Sequence, residues 1–342
     1  MLKNKEFLIR RGSIGLSIEV KLCWYHSLAA GLYAVGLMIL GAGAVFGQDY
    51  PNKPIRIITA VAGGGSDFIA RLIGQEISGQ MGQPVIVDNR GSAILAAALV
   101  SKAPPDGYTL LVSGSLLWIT PLLRKVPYDT VTDFSPISQL SREVYVITVH
   151  PSIPAKTVKE LIALAKAKPG ELNYSSATAG GDIHLALELL KSMAGINIVG
   201  VPYKGGAAAM TALISGEVQV MALDAGLVAP HVKMGEMRAL AVTSATPSAL
   251  APGLPTVSAA GVPGYELVGS TGIWAPARTS AAIVNRLHQA IVRVLGRPNS
   301  TERLLGAGEE IIASSPEQFA GTIRSEIIKM SKVIKDAGIS IN

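Results

Sequence analysis

From residue 51 onward the apolar positions follow two alternating rhythms. Runs at 55–61, 84–88 and 108–112 are short, dense in β-branched residues and bounded by Gly, Pro or Asp, the pattern of buried strands. After the first run, Phe68, Ile69, Leu72, Ile73 and Ile77 recur at three and four residues and predict an amphipathic helix with Ser66 or Asp67 as its N-cap. After the second, an alanine-rich helix is expected to end near Lys102. Strands alternating with helices this regularly predict an α/β fold, a mostly parallel sheet covered by helices on both faces.

The rhythm restarts at 144–149. Pro151 and Pro154 introduce a helix over 158–168, and a strand at 171–176, a glycine loop at 177–182 and a helix at 183–194 repeat the opening layout. Strands at 198–201, 218–223 and 239–243 then alternate with helices at 207–215 and 227–233. A Pro-, Gly- and Ser-rich loop fills 246–263, a strand follows at 272–275, and helices at 280–295, 300–306 and 316–337 form the tail. Two lobes crossed twice by the chain are the economical organisation: lobe 1 from 48–147 plus 271–342, lobe 2 from 148–270. A hinge is expected near 147–149 and 270–272.

The segment before 48 has a different character. Residues 28–47 carry no charge, follow Lys3, Lys5, Arg10, Arg11 and Lys21, and end in small residues, the order of a secretory signal. The expectation is a signal peptide over 1–47, cleaved after Gly47, and a periplasmic mature chain. Retention as a membrane anchor is the alternative, because about 20 apolar residues can span a bilayer. Cys23, the single cysteine, lies in this leader, so the cleaved chain has no thiol for a disulfide or a metal. Cleavage also lowers the formal charge from +6 to +3, too small and too dispersed for a nucleic-acid partner. With 49% hydrophobic and 16% charged residues over 342 positions, disorder is excluded and two buried cores are affordable by size.

The candidate chemistry lies where strands open into helices. Small residues there expose backbone N–H groups at the positive end of a helix dipole, which attracts a carboxylate or phosphate. Lobe 1 offers Gly64, Gly65, Ser66 and Asp67, with Ser113, Gly114 and Ser115 alongside; lobe 2 offers Ser176, Ala177, Thr178 and the residues up to Asp182. Two such starts facing each other would clamp an anion, whereas a single glycine loop would be only a tight turn. Asp67 and Asp182 are either helix caps or ligand contacts. Asp224 closes an apolar strand at the end that lines the cleft of an open α/β sheet, and a cap is again the alternative. His184 either packs beneath its helix start or touches ligand. Tyr203 and Lys204 end a strand in front of two glycines.

Enzyme signatures are missing. The Gly-x-Ser-x-Gly elbow, the Walker loop, the Gly-x-Gly-x-x-Gly spacing and the His-Glu-x-x-His pattern do not occur around these residues, so neither a cofactor nor a metal is expected. A secreted hydrolase or transferase using Ser115 or Ser176 is the alternative to a binding protein.

In combination, Tyr50-Pro51-Asn52-Lys53-Pro54-Ile55-Arg56, Ala62-Gly63-Gly64-Gly65-Ser66-Asp67, Asp106-Gly107-Tyr108-Thr109-Leu110, Val201-Pro202-Tyr203-Lys204-Gly205 and Leu240-Ala241-Val242-Thr243-Ser244 resemble the receptors of tripartite tricarboxylate transporters, the Bordetella uptake gene (Bug) family. The resemblance covers residues 50–342. It implies a non-enzymatic periplasmic binding protein with the two-lobe, type II fold, closing like a Venus flytrap on a small carboxylate solute. Ligand contacts are implied at Gly64 to Asp67, at Ser176 to His184 and at Asp224. The implied partners are membrane permease subunits, or a sensor kinase, and the receptor is expected to be a monomer. One departure bears on the pocket: Gly91-Ser92-Ala93-Ile94-Leu95 is shorter and more apolar than the family's usual Pro-Gly-Ala-Gly-Gly loop.

Overall fold

In the computed structural model the chain divides at Tyr50 into two units. The structure describes residues 50–176 and 180–339, so the expected leader and its cleavage site lie outside the described residues.

Strand β1 (Ile55–Thr59) buries Ile55, Ile57 and Ile58 completely. Side chains alternate across a strand, so burial of both parities requires cover on both faces, the environment of a parallel strand. Helix α1 (Gly65–Met81) carries the chain from β1 to β2 (Val85–Asn89), and α2 (Ala93–Val100) carries it on to β3 (Thr109–Gly114); all three strands run parallel. The inward face of α1 is Ile69, Leu72, Ile73 and Ile77, as its spacing predicts.

Helix α3 (Leu116–Leu123) then leads to β4 (Phe134–Val149), a strand of 16 residues. Beyond it come α4 (Val158–Ala167), β5 (Asn173–Ser176), α5 (Asp182–Ala194), β6 (Val199–Pro202), α6 (Gly206–Ile214), β7 (Val220–Asp224), α7 (Ala225–Lys233) and β8 (Arg238–Val242). The tail is β9 (Val268–Pro276), α8 (Ala281–Leu295), α9 (Pro298–Gly306), β10 (Glu309–Ile311) and α10 (Pro316–Asp336).

Strand β4 belongs to both lobes. From Phe134 to Val144 it pairs antiparallel with β9, which continues the β2-β1-β3 sheet, while β10 pairs with its other edge. From Tyr145 to Val149 it pairs instead with β7 and β8, and β7 continues into parallel β5 and β6. The sheets therefore exchange partners at Val144/Tyr145, in the same strand as the boundary expected at residue 147. Each lobe is three parallel strands extended by antiparallel ones, with helices on its faces, and the cleft lies between the lobes.

Packing explains where glycine is required. Trp118 on α3, Trp274 on β9 and Phe319 on α10 form an aromatic cluster, the two indoles 6.3 Å apart and the Trp274 and Phe319 rings 4.9 Å apart. A Cβ on Gly272 would strike the Phe319 ring, so the close approach of α10 to β9 needs a residue without a side chain. In lobe 2, Val144, Val146, Met221 and Leu223 pack with Ala209, Ala212 and Leu213 of α6 and Val228 of α7. Each fully buried aliphatic side chain of this kind contributes about 1.5–3 kcal/mol.

Three features have no counterpart in the expected elements. Helix α3 is Leu-Leu-Trp-Ile-Thr-Pro-Leu-Leu, with Thr120 its single polar residue and Pro121 inside, so it has no polar face to mark a 3.6-residue period. The first half of β4 is hidden because register shifts between Pro136 and Ser138 and between Gln139 and Ser141 break its alternation. Strand β10 is only Glu-Glu-Ile, and its pairing with β4 makes it a strand.

Candidate functional site: an acidic cleft between helix starts

Two adjoining cavities of about 230 and about 280 Å³ occupy the cleft and share Gly65 and Glu143 as walls. The first collects the start of α1 (Gly65, Ser66), the β3–α3 junction (Ser113, Gly114, Ser115, Leu116), the first residue of α5 (Asp182) and Ser270 and Thr271 of β9. The second lies between the β7–α7 junction (Asp224, Gly226, Leu227) and the α9–β10 turn with Glu309. These junctions follow parallel strands, where open α/β sheets place their ligands. In α1 the first helical bond runs from Phe68 N–H to Gly64 C=O, and in α5 from Leu185 N–H to Gly181 C=O. The N–H groups before them have no acceptor within the helix, and neither N-cap carries a side-chain capping bond.

Several expected residues meet at these walls. Gly65, Ser66, Ser113, Gly114, Ser115 and Asp182 line the first cavity, and Asp224 lines the second. Ser113 is 3% exposed and its hydroxyl has no hydrogen-bond partner in the protein. Ser115 Oγ accepts the Ser270 N–H at 2.9 Å. Asp224 stands at the N-cap of α7 yet makes no side-chain capping bond, so its carboxylate is left to the cavity.

Others are occupied elsewhere. Asp67, 5% exposed, accepts from Gly63 N–H at 2.9 Å, from Asn89 Nδ2 at 2.8 Å and from Arg71 Nε at 3.1 Å. Burial would raise its carboxyl, but the Arg71, Gly63 and Asn89 hydrogen bonds outweigh that and hold it below the usual range. It fixes the loop that Gly64 belongs to, and neither residue lines either of these two cavities. His184 Nδ1 accepts Gly180 N–H at 2.9 Å and its ring stacks on Tyr174, so it supports the second loop from beneath. Burial lowers its pKa, consistent with an imidazole that accepts at Nδ1. Tyr203 donates to Glu217 at 2.8 Å on the flank of lobe 2, and Ser176 is buried and lines neither of the two cavities. Ala177 and Thr178 lie outside the described residues. At the departing loop, Ser92 caps α2 by accepting Leu95 N–H at 3.3 Å, and Ala93 faces the first cavity.

Sequence reasoning missed the floor. Glu143 and Glu309 are directly opposed across β4 and β10, and Tyr145 and Asp224 across β4 and β7. The Tyr145 hydroxyl lies 3.0 Å from Glu143 Oε2 and 3.4 Å from Asp182 Oδ2. Gly269, opposite Glu143 on the β9 side, leaves the space that the Tyr145 hydroxyl and the Glu143 carboxylate occupy. Burial, reinforced by Glu143, pushes the Asp224 carboxyl up to about 6 and that of Glu309 up to about 8. Asp182 keeps part of its side chain open to the cleft, yet desolvation, followed by the Glu143 charge, still pushes it up to about 7. The one sequence signal for Glu143 is a charge heading the apolar run 144–149; Glu309 arrives from the tail and has none.

Comparison with known proteins agrees with this architecture. A family profile described as the tripartite tricarboxylate transporter family receptor matches residues 69–339. Protein BugT of Bordetella pertussis is 30% identical over 91% of this chain and 98% of its own length. A Rhodopseudomonas palustris protein solved with adipate is 35% identical, with a TM-score of 0.70 over 85% of this chain and 99% of that one. MatC of the same organism, with bound malate, is 26% identical, with a TM-score of 0.66 over 83% of this chain and 100% of that one. Two lobes meeting on helix starts, and a profile spanning both, show that the chain belongs to the tripartite tricarboxylate transporter family receptors.

Proposed function

We propose that this receptor captures a small carboxylate-bearing solute in the periplasm, closes its lobes over it and delivers it unchanged to the membrane permease subunits of a tripartite transporter. The observation that carries the reading is the first cavity, where the starts of α1, α3 and α5 converge. Outward-pointing N–H groups and helix dipoles suit one carboxylate there. The relatives solved with adipate and malate support the same ligand class. Closure would turn on β4 at Val144/Tyr145 and on the return into β9, with ligand favouring the closed state through contacts to both lobes. The expected lobes are 48–147 with 271–342 and 148–270, and the receptor acts as a monomer.

Turnover is not part of this reading. A hydrolase of the Ser–His kind would need an imidazole beside Ser115, whereas no histidine lines the first cavity and His184 Nδ1 is taken up by the Gly180 N–H.

The test is thermal unfolding of the purified protein against mono-, di- and tricarboxylates, amino acids and aromatic acids. A ligand at a hundred times its Kd adds about 2.7 kcal/mol, a rise of several degrees. Recovery of that ligand unchanged supports a receptor; its conversion, lost on replacing Ser115 with Ala, would establish the hydrolase instead.

A further inference from the structure

The cavity walls hold more carboxyl groups than a site for carboxylates alone requires. Neither cavity is lined by Lys, Arg or His, and the undescribed residues of the second loop, 177–179, are Ala, Thr and Ala. Facing the cavities instead are Glu143 on β4, Glu309 on β10, Asp224 on β7 and Asp182 on α5, with Tyr145 between them. Glu143 and Glu309 are directly opposed, an arrangement that is unfavourable for two anions unless a proton or a cation intervenes. Both side chains pass beside Gly65, where an added Cβ would meet Glu143 Oε1 at 3.5 Å and Glu309 Oε1 at 3.7 Å, so a residue without a side chain keeps the space in front of the pair open.

A separate observation points to a missing partner. Glu309 is 3% exposed and its Oε2 has no hydrogen bond, and Ser113, equally buried on the adjoining cavity, has an unpartnered hydroxyl. Buried polar atoms are rarely left without a partner from protein, water or ligand, and these two face the cavities, where a ligand can supply it. Among the described residues no three of His, Cys, Asp and Glu are placed to hold a metal ion, which disfavours a bare cation. Leu116 and Leu227, 40% and 51% exposed, line the two cavities and suit a short hydrocarbon.

We infer that the solute of this receptor carries a protonated amine, which the opposed Glu143 and Glu309 hold between β4 and β10, with Asp224 on the same cavity wall, while the helix starts take its other end. This rests on the receptor reading above and narrows its ligand class from plain carboxylates to amine-bearing ones. Burial favours protons on Asp224, Asp182 and Glu309, and an ammonium would displace them as it enters. The other charges facing the cluster are Glu143 itself and, toward Asp182, Glu326 on α10, so affinity should rise with pH.

Calorimetric titration of the purified protein with equal-length series tests this: adipate, 6-aminohexanoate and 1,6-diaminohexane, then succinate, 4-aminobutyrate and 1,4-diaminobutane. An amine-bearing member should bind at least tenfold more tightly than its dicarboxylate, release protons and gain affinity from pH 6 to pH 8. Glu143→Gln and Glu309→Gln should each weaken it at least tenfold without lowering the unfolding midpoint. Tighter binding of a dicarboxylate, unaffected by those variants, overturns the amine and leaves the receptor reading intact. Binding of calcium ion alone, with no amine bound, overturns it in favour of a metal. Silence from both series counts against the receptor reading and the amine together.

Discussion

Two aspartates in similar sequence surroundings have opposite roles, and their partners decide which. Asp67 follows a glycine loop and satisfies three protein donors, so its carboxylate is structural. Asp224 follows an apolar strand, finds no backbone donor of its own helix and faces the cavity. Replacing Asp67 with Ala should lower stability by about 1–3 kcal/mol, because the Gly63 N–H and the Asn89 amide lose a buried acceptor. Urea unfolding would read this as a lower midpoint with unchanged slope, and an unshifted midpoint would show that water replaces the carboxylate freely. Both residues were visible in the sequence as candidates. Which one was structural was not, since the Asn89 donor comes from a neighbouring strand.

Among elements, β4 does most to create the site. It brings Glu143 and Tyr145 to the same face, sets Glu309 and Asp224 opposite them, and belongs to both sheets. A second element contact concerns closure: a Cβ at Gly226 on α7 would come 3.2 Å from the Gly308 Cα in the α9–β10 turn, so the two lobes approach there through glycine backbones. Gly226→Val should hold the lobes apart and weaken ligand binding at least tenfold while leaving the unfolding midpoint within a few degrees. Small-angle scattering with saturating ligand should then show contraction for the natural protein and none for the variant. Equal contraction in both would place closure elsewhere.

Across the whole molecule, the acidic cleft predicts how stability varies with pH. A carboxyl raised on folding binds more protons in the folded than in the unfolded state, so its contribution is lost as pH climbs from its unfolded value near 4 to its folded value. Asp224, Asp182 and Glu309 thus lower the stability of the ligand-free protein up to about pH 6, 7 and 8 respectively. His184, lowered by burial, acts oppositely, its contribution disappearing as pH falls below about 6.5. Between pH 6.5 and 8 the carboxyls remain, and the midpoint of ligand-free protein should fall by a few degrees. Glu309→Gln should flatten that fall; a midpoint that stays level in the natural protein would mean the cluster is already ionised.

The sequence by itself determined the α/β alternation, the two lobes, the helix starts at strand ends and the motifs that mark the family. All of these depend on local periodicity, on turn residues and on short motifs, which one stretch of chain can carry. Tertiary structure alone decided the acidic floor. Glu143 and Glu309 are 166 positions apart and become neighbours only through strand pairing, and their altered protonation comes from burial that no local pattern records. It also decided that Asp67 and His184 support the loops and Tyr203 turns to Glu217 on the flank while Asp182 and Asp224 face the cavities, because each depends on a partner or a void that only the folded chain supplies.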